Sequence, residues 1–204
     1  MKVGVASENN NYDAIVYAHI LRKLIGVPVE PYIPQGMSFN GCNAVAKLAP
    51  TFLSRCLQAG VRNAILAVDN DGGSQRRLEH ADDHALPATY DESTECRVCW
   101  LHGSITTSWV VGNGRCSLVV PVQTLETWLL VARGQPPEPP VGRPEGYFGR
   151  AALKRRLFGK GTLPPMADRC AVAIDALESP YALDRLRERH SFMRFEAGVR
   201  DWIA

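Results

Sequence analysis

Two carboxylates, Asp69 and Asp71, close an apolar run in the stretch NAILAVDNDGG. If residues 63–68 form a strand, side chains two apart point to the same side. Both carboxylates then reach one cation just beyond the strand's carboxyl end. Magnesium, or manganese in its place, takes oxygen ligands and keeps several waters, so a few carboxylates hold it. Gly72 and Gly73 let backbone and substrate approach closely. Asp, Asn and Gly also make ordinary turns after strands, so the pair alone does not decide between metal and turn. Glu8 adds a second constraint. It follows the apolar run of residues 1–6, and a strand there in the same sheet brings a third carboxylate to the same edge.

Two other groups of residues carry chemistry. Lys154, Arg155, Arg156 and Lys160 form a basic cluster able to contact nucleic-acid phosphates, although a solvated helix face has the same composition. His80-x3-His84 followed by Cys96-x2-Cys99, with His102 beyond, has the spacing of zinc half-sites. Zinc there would be structural, tying down an insert at 80–102. The competing reading is reduced cysteines near a strand and scattered surface histidines. Gly112-Asn113-Gly114 reads as a tight hairpin turn, since no Gly-Lys-Ser follows it.

The elements that must position these groups follow from hydrophobic periodicity. Residues 1–6 read as a buried strand, 8–11 as a turn and 12–25 as an amphipathic helix stopped by Gly26. Residues 27–33, with their prolines, fit an edge strand. A second amphipathic helix at 43–59 ends at Gly60, and 63–68 is the third strand. This strand–helix alternation predicts an α/β fold with a mainly parallel, Rossmann-like sheet flanked by helices. Residues 97–101 and 117–122 look like further strands, and 124–132 is a compact apolar helix. The Pro-rich stretch at 134–148 is a linker or loop. Residues 149–204 read as three or four helices packed on the same domain, which begins at residue 1 and runs to 133.

Composition sets the bounds. A chain of 204 residues fits one domain or one with a small appendage. Its 46% hydrophobic content excludes global disorder. No stretch approaches the ~18 apolar residues needed to span a membrane. The start turns polar after five or six residues, unlike a signal peptide, so a cytoplasmic location with no membrane partner is expected. The six cysteines then read as thiols or metal ligands. Net charge is only +2, but residues 1–142 hold 11 Lys+Arg against 13 Asp+Glu, and residues 143–204 hold 12 against 8. The candidate metal ligands therefore fall in the acidic part and the candidate phosphate contacts in the basic part.

With Glu8 after the first strand and Asp69 and Asp71 after the third, the sequence resembles the Toprim domain of topoisomerases, primases and overcoming-lysogenization-defect nucleases. The resemblance implies acid–base or metal-binding work for Glu8 and Mg2+ held by the Asp pair at a phosphodiester. It departs from the family in having Asn9, Asn10 and Asn11 where a glycine often follows the glutamate. VPVQTLETWLLVA, residues 120–132, and HSFMRFEAGVR, residues 190–200, are similar to the Glu–small–Trp–Leu–Leu and Ser-Phe-x-x-Phe motifs of a stand-alone prokaryotic Toprim-like family. Those proteins often lie beside ABC-type ATPases in phage-defence loci. By that resemblance Glu126 is a further acidic group of the site, where its neighbours alone would make it a surface glutamate beside core Trp128, Leu129 and Leu130.

The expectation is a Mg2+-dependent nuclease acting on DNA or RNA, partnered by nucleic acid and an ABC-type ATPase. The alternative is a non-catalytic Toprim-like module that binds nucleic acid or such an ATPase. A haloacid-dehalogenase-type phosphatase ranks last, because its Asp motif follows the first strand and continues with Thr, not Gly73.

Overall fold

The computed structural model describes residues 1–70, 97–121, 124–135 and 150–203. The fold is α/β. Four strands, β1 (Lys2–Ser7), β2 (Glu30–Tyr32), β3 (Asn63–Ala67) and β4 (Arg115–Val119), form a sheet in the order β2-β1-β3-β4. Every pairing is parallel. The chain passes from β1 to β2 on one side, then returns to lay β3 on the other side of β1. The carboxyl ends of β1 and β3 thus flank the point where the winding reverses, the place where open parallel sheets bind ligands.

Strand alternation divides the core in two. Val3, Val5, Ile65, Ala67 and Val119 face one layer, with α1 (Asn10–Ile25), α5 (Leu125–Ala132), α6 (Arg150–Phe158), α7 (Met166–Glu178), α8 (Ala182–Leu186) and α9 (His190–Val199). Ala6, Ala64 and Leu66 face the other, with α2 (Cys42–Gln58), α3 (Arg97–His102) and α4 (Thr107–Val111). This is the period-two pattern of a sheet covered on both faces. Gly4 has no side chain because α2 lies too close. A Cβ there would sit 2.8 Å from Cys56 Sγ and 3.1 Å from Phe52 Cζ. Gly26 ends α1 in the left-handed region, φ 72°, its N–H donating to the Arg22 carbonyl, the glycine stop that the periodicity predicted.

The C-terminal helices pack into the first core layer alongside β1, α1 and α5. Trp128 of α5 meets the Phe192 ring edge-on at 5.1 Å and stacks on Phe195 at 5.9 Å. Its indole Nε1–H donates to Ser191 Oγ at 3.1 Å. The motif around Trp128 and the one at 190–200 are therefore one packing unit. On area alone, burying the Trp128 ring stabilises by roughly 4–6 kcal/mol. That anchorage fixes the helix that carries Glu126.

Four sequence expectations need correction. Residues 97–101 are helix α3, not a strand. Val98, Cys99 and Leu101 are all buried, and two adjacent residues plus the one three on share a helix face, not a strand face. The Gly112–Gly114 turn joins α4 to β4, which pairs parallel with β3, so it closes no β3–β4 hairpin. Its turn chemistry is nevertheless right, since Asn113 has φ 56°. Strand β4 starts at Arg115, two residues before the predicted 117. Finally, α1 begins at Asn10 rather than 12, which takes half of the expected turn at 8–11 into the helix and puts Asp13 in its first turn.

Candidate functional site

Hydrogen bonds continue the sheet beyond its last strand residues. Past Ala67, the Val68 N–H donates to Val119 O at 3.0 Å and the Asn70 N–H to Pro121 O at 3.2 Å. In a parallel strand the residue between them, Asp69, turns its N–H the other way, toward β1. β1 has ended at Ser7. Glu8 Oε1 takes the place of the missing ladder acceptor, receiving the Asp69 N–H at 2.9 Å. Asp69 Oδ1 in turn accepts from the Leu125 N–H at 3.3 Å. That N–H opens α5, where helix amides lack internal partners and favour negative charge. The next residue on α5 is Glu126, only 6% exposed. Lys154 of α6 lies across from it, Nζ to Oε1 3.9 Å.

Glu8, Asp69 and Glu126 therefore come from three separate elements and line one cleft of about 330 Å³, with Asn9, Tyr12, Asp13, Asn40, Gly41, Leu125 and Lys154. Asp13 is a site residue that the sequence motifs do not single out. Its Oδ2 accepts from the Asn9 N–H at 3.2 Å, which ties it to the loop bearing Glu8. Burial first, then the negative charges of Glu126 and Glu8, push its carboxyl up to about 7. Burial first, and after it Asp13, Asp69, Glu126 and Glu8, raise the Tyr17 hydroxyl as well. The signal available in the sequence is a carboxylate five residues after Glu8, at the polar start of an apolar helix.

The donors suit a hard cation. All are carboxylate oxygens, and their crowding puts negative charge where a divalent ion would relieve it. Among the described residues, no three His, Cys, Asp or Glu side chains form a ready-made metal group. The carboxylates surround the cleft without closing on a point. Magnesium accepts such a site, since one or two carboxylates suffice and water completes its shell. Asp71, the second member of the predicted pair, lies outside the described residues.

The other predicted groups are placed as follows. Of the four basic residues, Lys154 lines the cleft, while Arg155, Arg156 and Lys160 are exposed on and beyond α6. Of the zinc candidates, His80, His84 and Cys96 lie outside the described residues. Cys99 sits in the second core layer, 1% exposed, and His102 follows one turn later on α3. Among the described residues no helix is long and apolar enough to cross a membrane. No known protein family, curated protein or solved structure matches this chain.

Proposed function

We propose that the protein is a Mg2+-dependent nuclease of Toprim type, cutting phosphodiester bonds of DNA or RNA. The observation that carries this reading is the linkage Glu8–Asp69–α5–Glu126, which gathers acidic side chains at the winding-reversal point of a parallel sheet and leaves Lys154 beside them. A phosphodiester anion needs positive charge to enter such a cleft. Mg2+, bound by Asp69 with Asp71 and Glu8, would supply that charge and polarise the phosphoryl oxygens. Glu8 would take or give a proton in the reaction, directly or through water. Asp13, its carboxyl pushed up to about 7, can exchange a proton near neutral pH and so gives the cleft a second proton store. Lys154, with Arg155, Arg156 and Lys160 further out, would follow the nucleic-acid backbone. A role beside an ABC-type ATPase in phage defence, and a cytoplasmic location, extend the proposal. The ATPase partner is supported by the motif resemblance at 120–132 and 190–200.

The test is cleavage of plasmid DNA and of RNA with Mg2+ or Mn2+, wild type beside Asp69→Asn. Asparagine keeps an acceptor for the Leu125 N–H and removes the charge. Metal-dependent cutting that disappears in the variant supports the proposal. Equal cutting by both proteins removes the assigned site. A folded wild-type protein that cuts neither substrate favours the non-catalytic module.

A further inference from the structure

Tyr12 is a residue of the cleft whose chemistry the carboxylate framework does not use. It stands in the first turn of α1 and is 2% exposed. Its ring packs edge-on against Phe158 at 6.1 Å, with the Arg169 guanidinium 5.3 Å from the ring centre. The hydroxyl has no hydrogen-bond partner among the described residues. Buried tyrosine hydroxyls usually find one. This one lacks it although Asp13 and Glu126 are close enough to act on it, and burial with those two charges raises its pKa, so it stays protonated and remains a donor. If packing were the whole role, phenylalanine would fill the same space without the cost of an unmatched polar group.

The unmatched donor does not stand alone. Lys154 lines the same cleft and reaches Glu126 at 3.9 Å, a contact long enough to be exchanged for a better acceptor. Tyr12 and Lys154 thus put a neutral donor and a cation beside Glu126, in a cleft whose other ionisable side chains are carboxylates. Carboxylates accept and cannot donate when ionised. A ligand that satisfies both sides must offer acceptor oxygens to the donors and be bridged by a cation to the acids. A phosphate group does this.

We propose that Tyr12 Oη and Lys154 Nζ form the phosphate-holding side of the cleft, with the Tyr12 hydroxyl donating to a non-bridging oxygen of the bound phosphodiester. The inference rests on the nuclease reading for the identity of the anion. It adds a substrate-contacting residue that the carboxylate motif does not contain. Among the described residues the hydroxyl is unmatched, and bound substrate would match it.

The test is Tyr12→Phe in the full chain, read three ways. Without metal, its melting temperature should equal or exceed that of the wild type, by up to about 2–6 °C, because an unmatched buried hydroxyl has been removed. With Mg2+ present, inorganic phosphate should raise the melting temperature of the wild type, and its Kd should weaken roughly tenfold in the variant. Nucleic-acid cleavage should fall roughly 10- to 100-fold in kcat/KM, the range for a donor to a charged acceptor. A clear drop in the metal-free melting temperature would show that the hydroxyl is partnered in the fold, and the proposal falls. It falls equally if phosphate binds both proteins alike, or binds neither. A wild type that cleaves while Tyr12→Phe cleaves as well overturns this inference and keeps the nuclease. A wild type that binds phosphate through Tyr12 and cleaves nothing keeps the anion site and removes the nuclease.

Discussion

Replacing Asp13 by asparagine should make the protein more stable at pH 8 and leave it nearly unchanged at pH 4. Asp13 titrates at about 7 in the folded chain, against an ordinary value of 3.8. The folded state therefore holds this proton more tightly than the unfolded chain does. Between pH ~4 and ~7 the native state binds more protons, so raising the pH through that window lowers stability. At ~1.4 kcal/mol per pH unit the upper bound is about 4 kcal/mol. Glu126 and Glu8 share the cause, and relaxation or water entry lessens it, so about 2 kcal/mol is the expected loss. The substituted amide has no charge to bury and keeps an oxygen for the Asn9 N–H. Denaturant unfolding without metal, wild type beside Asp13→Asn, should give curves that coincide near pH 4 and diverge toward pH 8. The variant should melt about 4–8 °C higher at pH 8 for a chain of this size. Adding Mg2+ should narrow the gap, because a cation among the carboxylates stabilises the ionised Asp13 of the wild type. A stability difference that does not change with pH, or a variant less stable at pH 8, would refute the crowding of charge inferred for the cleft.

Glu8 should separate scaffold from chemistry. Glu8→Gln keeps an acceptor for the Asp69 N–H and removes one of the crowded charges, so the metal-free protein should be no less stable than wild type while cleavage is abolished. Glu8→Ala leaves that amide without its acceptor and should cost about 1–3 kcal/mol, so equal thermal melts of the two variants would contradict the ladder role. Gly4→Ala should destabilise by about 1–3 kcal/mol, since the new methyl would stand 2.8 Å from Cys56 Sγ. A melting temperature within a degree of wild type would show that α2 can move off β1.

Much of the sheet was legible because β1, β3, α1 and α2 each carry a complete period and a stop signal. Gly26 is the clearest case: it follows the last apolar position of α1 and adopts the left-handed conformation that a C-cap needs. The α3 segment was misread because RVCWL is too short and too apolar for its period to show. Val98, Cys99 and Leu101 satisfy a strand by composition, and only their common burial in the second core layer reveals a helix. Helix α4 was missed, although Thr106 before it is a favoured N-cap residue and its hydroxyl accepts the Trp109 N–H at 3.4 Å. Its exposed Val110 and Val111 break the amphipathic pattern. Asp13 and Tyr12 could not be assigned from spacing, because their significance depends on which helix face turns toward the carboxyl ends of β1 and β3.

Glu8 and Asp69 show why a strand-end motif was informative here. A parallel sheet that ends one strand before its neighbour leaves an amide pointing at nothing, and a carboxylate on the next residue of the shorter strand can receive it. Glu8 does so for Asp69, and Asp69 repeats the device by receiving the first amide of α5. The same carboxylates thus finish the fold and charge the cleft. Fold completion explains an acceptor at each position, and a glutamine or asparagine would provide it. It does not explain formal negative charge on Glu8, Asp69 and Glu126 around one cleft, nor the like-charge crowding that helps drive Asp13 up to about 7. Crowded charge lowers the stability of the free protein unless a cation relieves it. The difference between each acid and its neutral isostere therefore measures the part of the site that the fold does not require.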